Sequence, residues 1–238
     1  MTKNSDRGIR NIGFLLFSDM LQLDFTGPYG VLAQIPGVTL HLLAKTLAPI
    51  VSSDGLIFQP TAEFADHPAL DIIVVPGGGG VTALMEDVAT LAFLRDVAVD
   101  AGYVASVCTG ALVLGAAGLL RNRRATTHWQ SVDLLPLFGA VPVRERVVVD
   151  KTLITAAGVT SGIDMALTLA GLAWNVELAQ SIQLGMEYSP RPPFDSGSPD
   201  SAPAAVRQAV VDRNAGRHAS RKAAARAAAQ RLGIENNI

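Results

Sequence analysis

Runs of Val, Ile and Leu with little polar interruption recur along the chain, each bounded by glycine, proline or a small polar cluster. "NIGFLLF" predicts a buried first strand, and "DFTGPYGVLAQI" a helix with Thr26 as N-cap and Pro28 in the first turn. "VTLHLLAK" predicts a second strand, followed by a hairpin around Asp54-Gly55 in "IVSSDGLIFQPTAEF". "LDIIVVPGGGG" predicts an apolar strand running into glycines, with one helix through "ALMEDVATLAFLRDVAVDAG" after it. "YVASV" predicts another short strand, which meets the helix "GALVLGAAGLL" with Cys108 at the junction. "RATTHW" opens a further strand-to-helix unit, "RVVVDKTLITAAG" predicts a hairpin, and "TSGIDMALTLAGLAW" a long apolar helix. Strands this uniformly apolar are buried on both faces, and their alternation with helices predicts an α/β fold on a mostly parallel sheet.

The character changes after Glu187. "YSPRPPFDSGSPDSAPA" reads as an extended arm, and "AAVRQAVVDRNAGRHASRKAAARAAAQRL" as a final basic helix interrupted at Gly216. The chain therefore divides into an α/β body, 1–187, and an arm with its helix, 188–238. Two readings of that helix stand: a tail that binds nucleic acid or a partner, or a solvated helix laying an alanine stripe on the body or on a second subunit. The second is preferred, because exposed charge alone carries little weight.

Composition narrows the classes. A chain of 238 residues, 49% of them apolar, suits one α/β domain with a substantial core. A formal net charge of −2 gives no global attraction to nucleic acid or an anionic membrane. A single cysteine excludes an internal disulfide and a cysteine-rich zinc site, and no histidine has metal-ligand spacing. The N-terminal "MTKNSDRGIRNIGF" lacks the apolar core of a signal peptide, so a reducing cytoplasm is expected. Val104 to Leu120 approaches the length of a membrane span. Ser106, Cys108, Thr109 and Gly110 break it midway, and a strand and a helix inside the protein are expected instead.

Cys108 is placed where a parallel strand hands over to a helix, at the sheet edge where open α/β folds bind ligands. A helix N-terminus there favours a thiolate, and Gly110 suits a turn too tight for a larger side chain. The alternative is a small, inert, buried cysteine. Gly77 to Gly80 match no phosphate-binding motif. They allow close backbone approach and an oxyanion-type pocket, or else form a mobile loop. Asp24, among Leu21, Leu23 and Phe25, is positioned for burial, which raises a carboxyl pKa. Facing Cys108, it would share a proton with the thiol and serve as general acid and base, whereas its other reading is a helix cap. His128 is either a base for Cys108 or a supporting residue, and His41, His67 and His218 read as strand or surface positions.

Together "IGFLLF", "QLDFTGP", "PGGGG…ALMED", "SVCTGALVLGAAGLL", "RATTHW" and "ERVVVD" resemble the DJ-1/PfpI superfamily, and within it the isocyanide hydratases. The resemblance runs from about Ile9 through Glu187 and into the "SPRPPF" arm. It implies a flavodoxin-like three-layer sandwich with a cysteine nucleophile elbow, and a homodimer. It implies Cys108 as nucleophile, Asp24 as acid and base, and Thr109 beside them. Gly78, Gly79 and Val159 would bind substrate or stabilise charge, with His128 behind them. The implied reaction adds water to a small isocyanide through a cysteine thioimidate and yields an N-substituted formamide. No metal or other cofactor is needed, and neither nucleic acid nor membrane is a partner. One departure is noted: "ITAAGVTSGID" has Ala156 and Ala157 where the hydratase pattern favours glycines, which bears on substrate range and helix motion. Two alternatives remain, another cysteine-dependent hydrolase or glyoxalase of the superfamily, and a non-enzymatic ligand- or redox-sensing module like those of AraC-type regulators.

Overall fold

The structure is a computed structural model that describes residues 8–234. The leader expectation at 1–7 and the last four residues of the arm-and-helix segment lie outside the described residues.

Seven strands form the central sheet: β1 (Asn11–Leu15), β2 (Thr39–Ala44), β5 (Ala62–Glu63), β6 (Ile72–Val75), β7 (Tyr103–Val107), β10 (Val147–Asp150) and β11 (Leu153–Ala156). Their order is β10-β11-β7-β6-β1-β2-β5, and every neighbouring pair is parallel except β10 with β11. All four residues of β6 are buried, as are the last four of β1 and of β7, so helices must cover both faces. One group comprises α1 (Gln22–Leu32), α5 (Ser161–Ala173) and α6 (Val176–Gly185). The other comprises α2 (Val81–Leu84), α3 (Val88–Asp100), α4 (Gly110–Ala116), a 3-10 helical stretch (Trp129–Phe138) and α7 (Ala204–Arg231). The result is three layers around one core.

Small strands complete the fold. β3 (Ile50–Val51) and β4 (Ile57–Phe58) form the hairpin around Asp54-Gly55, while β8 (Arg124–Ala125) pairs in parallel with β9 (Val141–Pro142) outside the main sheet.

Several expectations are corrected. Helix α1 starts at Gln22, with Leu21 as N-cap, so Thr26 lies inside it and donates its hydroxyl to Gln22 Oε1. Pro28 is in the helix interior rather than the first turn, and it denies the Asp24 carbonyl its usual helical donor. The helix begins without a side-chain cap, three residues after Asp19, whose φ of 61° is left-handed. The helix expected through "ALMEDVATLAF" is two, because Asp87 is extended and accepts a hydrogen bond from the Thr90 hydroxyl. Helix α4 stops at Ala116, just before Gly118 turns with a φ of 83°. Gly216 does not interrupt α7, which is continuous over 28 residues. The stretch from Val104 to Leu120 divides into β7 and α4, and among the described residues no helix is long and apolar enough to cross a membrane.

Helix α7 packs against the 3-10 stretch, α2 and α4 of the same chain. Its inward residues are Arg221, Ala224, Ala225, Ala228 and Ala229. That is the spacing of one helical face, and alanine lets the backbone approach closely.

Candidate active site

Cys108 occupies the single residue of backbone between the end of β7 and Thr109, the N-cap of α4. Its φ is 54°, a left-handed conformation that costs a side-chain-bearing residue roughly 1 kcal/mol or more. Two hydrogen bonds hold it there: its N–H donates to the Ala156 carbonyl at 3.1 Å, and the Thr127 hydroxyl donates to its carbonyl at 2.7 Å. Gly110 is required next, because a Cβ at that position would run into the Val75 carbonyl oxygen. The strand, the turn and the following helix thus present the thiol at the sheet's carboxyl edge. Cys108 is only 6% exposed, but it lines a cavity of about 190 Å³.

Asp24 reaches the thiol from the first turn of α1, where the positive end of the helix favours a carboxylate. Its side chain is completely buried. Oδ2 accepts from the Gly77 N–H at 3.0 Å, while Oδ1 has no hydrogen-bond partner. Burial pushes the Asp24 pKa up to about 7; hydrogen bonds from Gly77 and from Cys108 oppose the rise, and the charge of Asp54 adds to it. The Cys108 thiol is pushed up as well, first by burial and then by the Asp24 charge. The Thr109 N–H and the Arg221 guanidinium pull it back down. Below about pH 7 both groups hold a proton; above it Asp24 ionises and the sulfur keeps its own.

The glycine loop after β6 closes over this pair. A Cβ on Gly77 would lie 2.6 Å from Thr109 N and 2.7 Å from both Asp24 Oδ2 and Thr109 Oγ1. Gly78 has a φ of 136°, and a Cβ there would meet Leu21 N at 2.5 Å. Its N–H donates to Thr109 Oγ1 at 3.1 Å. The Gly78 donor expected to face a substrate anion is thus already engaged, and the Thr109 N–H faces the Cys108 sulfur. Gly79 lines the cavity beside Asp19.

His128 is the N-cap of the 3-10 stretch, where Nδ1 accepts from the Gln130 N–H at 3.3 Å. Burial, and then Arg221, push its pKa down to about 4. The ring is neutral at physiological pH and too weak a base to ionise a buried thiol, so the Cys–His alternative loses its base. Val159, between β11 and α5, lines the same cavity. His128 and Val159 also line a neighbouring cavity of about 400 Å³, bordered by Ala157 and by Gly197 to Asp200 of the arm. Ala156 ends β11, fully buried beside Val107. Among the described residues no cluster of His, Cys, Asp and Glu could hold a metal ion.

Sequence reasoning missed one whole wall. Val210, Asn214, Arg217 and Arg221 of α7 line the Cys108 cavity, together with Gln130. Asn214 Nδ2 donates to Gln130 Oε1 at 3.0 Å, and Arg221 donates to the Gly78 carbonyl at 3.2 Å. The available signal was the alanine stripe: Arg221 falls in register with Ala224, Ala225, Ala228 and Ala229.

Comparison with known proteins adds to this geometry. The profile of the DJ-1/PfpI family matches residues 10–171. A Pseudomonas putida protein named isonitrile hydratase is 59% identical over 204 residues, 86% of this chain and 90% of its own length. The Pseudomonas aeruginosa HTH-type transcriptional regulator GbdR is 30% identical over 187 residues, 74% of this chain but 50% of the regulator. The crystal structure of a ThiJ/PfpI family protein from Pseudomonas syringae superposes with a TM-score of 0.89 at 40% identity, covering 92% of this chain and 91% of that one.

Proposed function

This chain belongs to the DJ-1/PfpI family, and from that premise we propose that it is an isocyanide hydratase, a hydro-lyase converting R–N≡C and water to R–NH–CHO. The carrying observation is a fully buried carboxyl whose pKa is coupled to that of an elbow thiol, in a chain 59% identical over 86% of its length to the P. putida isonitrile hydratase. Isonitrile and isocyanide name the same functional group.

The pair suits the chemistry. Asp24 takes the proton from Cys108 as sulfur attacks the terminal carbon, then delivers that proton to the same carbon. The product is a thioimidate, R–N=CH–S–Cys. Asp24, again ionised, removes a proton from water while the oxygen adds to this carbon, and it passes the proton to nitrogen. The C–S bond of R–NH–CH(OH)–S–Cys then breaks, the formamide leaves, and the hydroxyl proton returns to sulfur through Asp24. Each proton that Asp24 takes up is handed on, and the sum is one water added.

A carboxyl near pKa 7 suits a group that must both accept and donate within one turnover. Thr109, through its N–H toward the sulfur and its hydroxyl toward Gly78, holds the elbow and the glycine loop in register. Gly79 and Val159 form cavity wall, and His128 is a neutral support behind the thiol. The reading carries a homodimer in a reducing cytoplasm, a small-molecule substrate, and neither nucleic acid nor membrane as partner. It also divides the chain into the body, 1–187, and a completing arm and helix, 188–238.

The test is formamide formation from cyclohexyl isocyanide, followed by mass spectrometry. Turnover is expected in the native chain, with loss in Cys108→Ala and in Asp24→Asn. An adduct of substrate mass on Cys108 is expected when turnover is stopped early by acid. Hydration that survives Cys108→Ala would remove the covalent route.

A further inference from the structure

Arg221 is 8% exposed and lines the Cys108 cavity. One guanidinium nitrogen donates to the Gly78 carbonyl at 3.2 Å, while its buried Nε has no partner. Among the described residues no carboxylate forms an ion pair with it. Removing a guanidinium from water this far is costly unless opposite charge stands nearby, and a carbonyl supplies only a dipole.

The groups facing the thiol can be named element by element. Asp19 follows β1, Asp24 is in α1, Asp54 is in the hairpin and acts on Asp24, His128 caps the 3-10 stretch, and Arg217 and Arg221 come from α7. Asp19 is exposed to solvent, and its charge draws the Arg221 pKa up less than the Cys108 sulfur does. His128 is neutral, and Arg217 is exposed one turn along the helix. The group that acts most strongly on the Arg221 charge is the Cys108 sulfur.

We propose that Arg221 is a positioning residue for the reaction: its guanidinium, on the wall of the Cys108 cavity, is the counter-charge for the sulfur as it attacks. The proposal rests on the reading of Cys108 as nucleophile. The attraction is mutual, since Arg221 draws the thiol pKa down, while the sulfur, and after it Asp19, draw the Arg221 pKa up against burial and Arg217. Arginine suits the position because it keeps its charge when buried and still has donors for the Gly78 carbonyl. The residue comes from a helix beyond 10–171, the part matched by the family profile.

The experiment measures alkylation of Cys108 by iodoacetamide against pH, by intact mass on the full chain. The sole cysteine makes the signal unambiguous. Arg221→Gln retains a donor for Gly78 without the charge, and Arg221→Lys retains donor and charge together. The alkylation midpoint is expected to rise by about one pH unit in Arg221→Gln. It should stay within about a third of that in Arg221→Lys, and stay put in Arg226→Met, an exposed position on the same helix outside the cavity. Equal midpoints in the native chain and Arg221→Gln would overturn the proposal. So would a Lys variant shifted as far as the Gln variant, since the residue would then serve only to anchor the loop. Alkylation is read without any isocyanide, so a native chain that hydrates none would sink the proposed activity and leave this result standing on its own.

Discussion

The elbow at Cys108 and helix α7 reach the same cavity by opposite means. The elbow holds its side chain by backbone: a left-handed residue, two hydrogen bonds and a glycine with no room for a Cβ, all within a few residues of buried strand. Helix α7 has an ordinary helical backbone and a thin face of alanines, and it extends a long arginine side chain into the cavity. The first region ties its chemistry to the stability of the core. The second is held by fewer buried residues, because most of α7 is exposed.

Four measurements break or sharpen that contrast. The largest effect is on turnover, where Cys108→Ala should cost about 10⁴-fold or more in formamide production with the fold intact by circular dichroism. Next is Asp24→Asn, in which a pH dependence can be read. The native carboxyl is pushed up from its ordinary 3.8 to about 7, so the unfolded chain releases this proton first as pH rises. Stability that is fully present below 3.8 is lost progressively up to about 7. Replacing Asp24 by Asn should remove a penalty on the order of 4 kcal/mol near pH 8 and little near pH 4, measured by urea unfolding. His128 acts at the other end. Pushed down to about 4, its contribution is present above its ordinary 6.5 and lost as pH falls through 4.

Third, Gly110→Ala in the elbow should cost about 3 kcal/mol, while Ala225→Glu in α7 should cost about 2 kcal/mol. The α7 loss is capped by the docking energy of the helix. Hydrogen exchange should then show α7 amides opening while β6 and β7 stay protected, and a uniform loss of protection would contradict the independence of α7. The smallest effect concerns backbone alone. Cys108→Gly should be about 1 kcal/mol more stable than Cys108→Ala, because glycine adopts a φ of 54° without strain. Equal stabilities would mean that the elbow stores none.

The two regions differ in legibility for the same reason. β1, β6 and β7 announce themselves as apolar runs ending in glycine or a small-residue turn, and such runs define the parallel sheet, its carboxyl edge and the positions of Cys108, Asp24 and the glycine loop. Hydrophobic pattern reports burial, and these residues are buried. The Gly78 N–H was misread because a side chain from another element, Thr109, takes it, and local sequence does not show which donor is free. The start of α1 is hard to read because its N-cap, Leu21, makes no side-chain cap hydrogen bond, so no capping residue marks it. Arg221 was hidden more deeply. Alanine and arginine suit a solvated helix as well as a docked one, and the distinction rests on which face meets the body.

Position along the chain has a further consequence. During synthesis the ribosome releases the strands that hold Cys108 and Asp24 long before α7 emerges. Until that helix arrives the nascent cleft lacks the wall made by Val210, Asn214, Arg217 and Arg221. A newly made molecule thus builds the floor of its cavity first and receives this wall last.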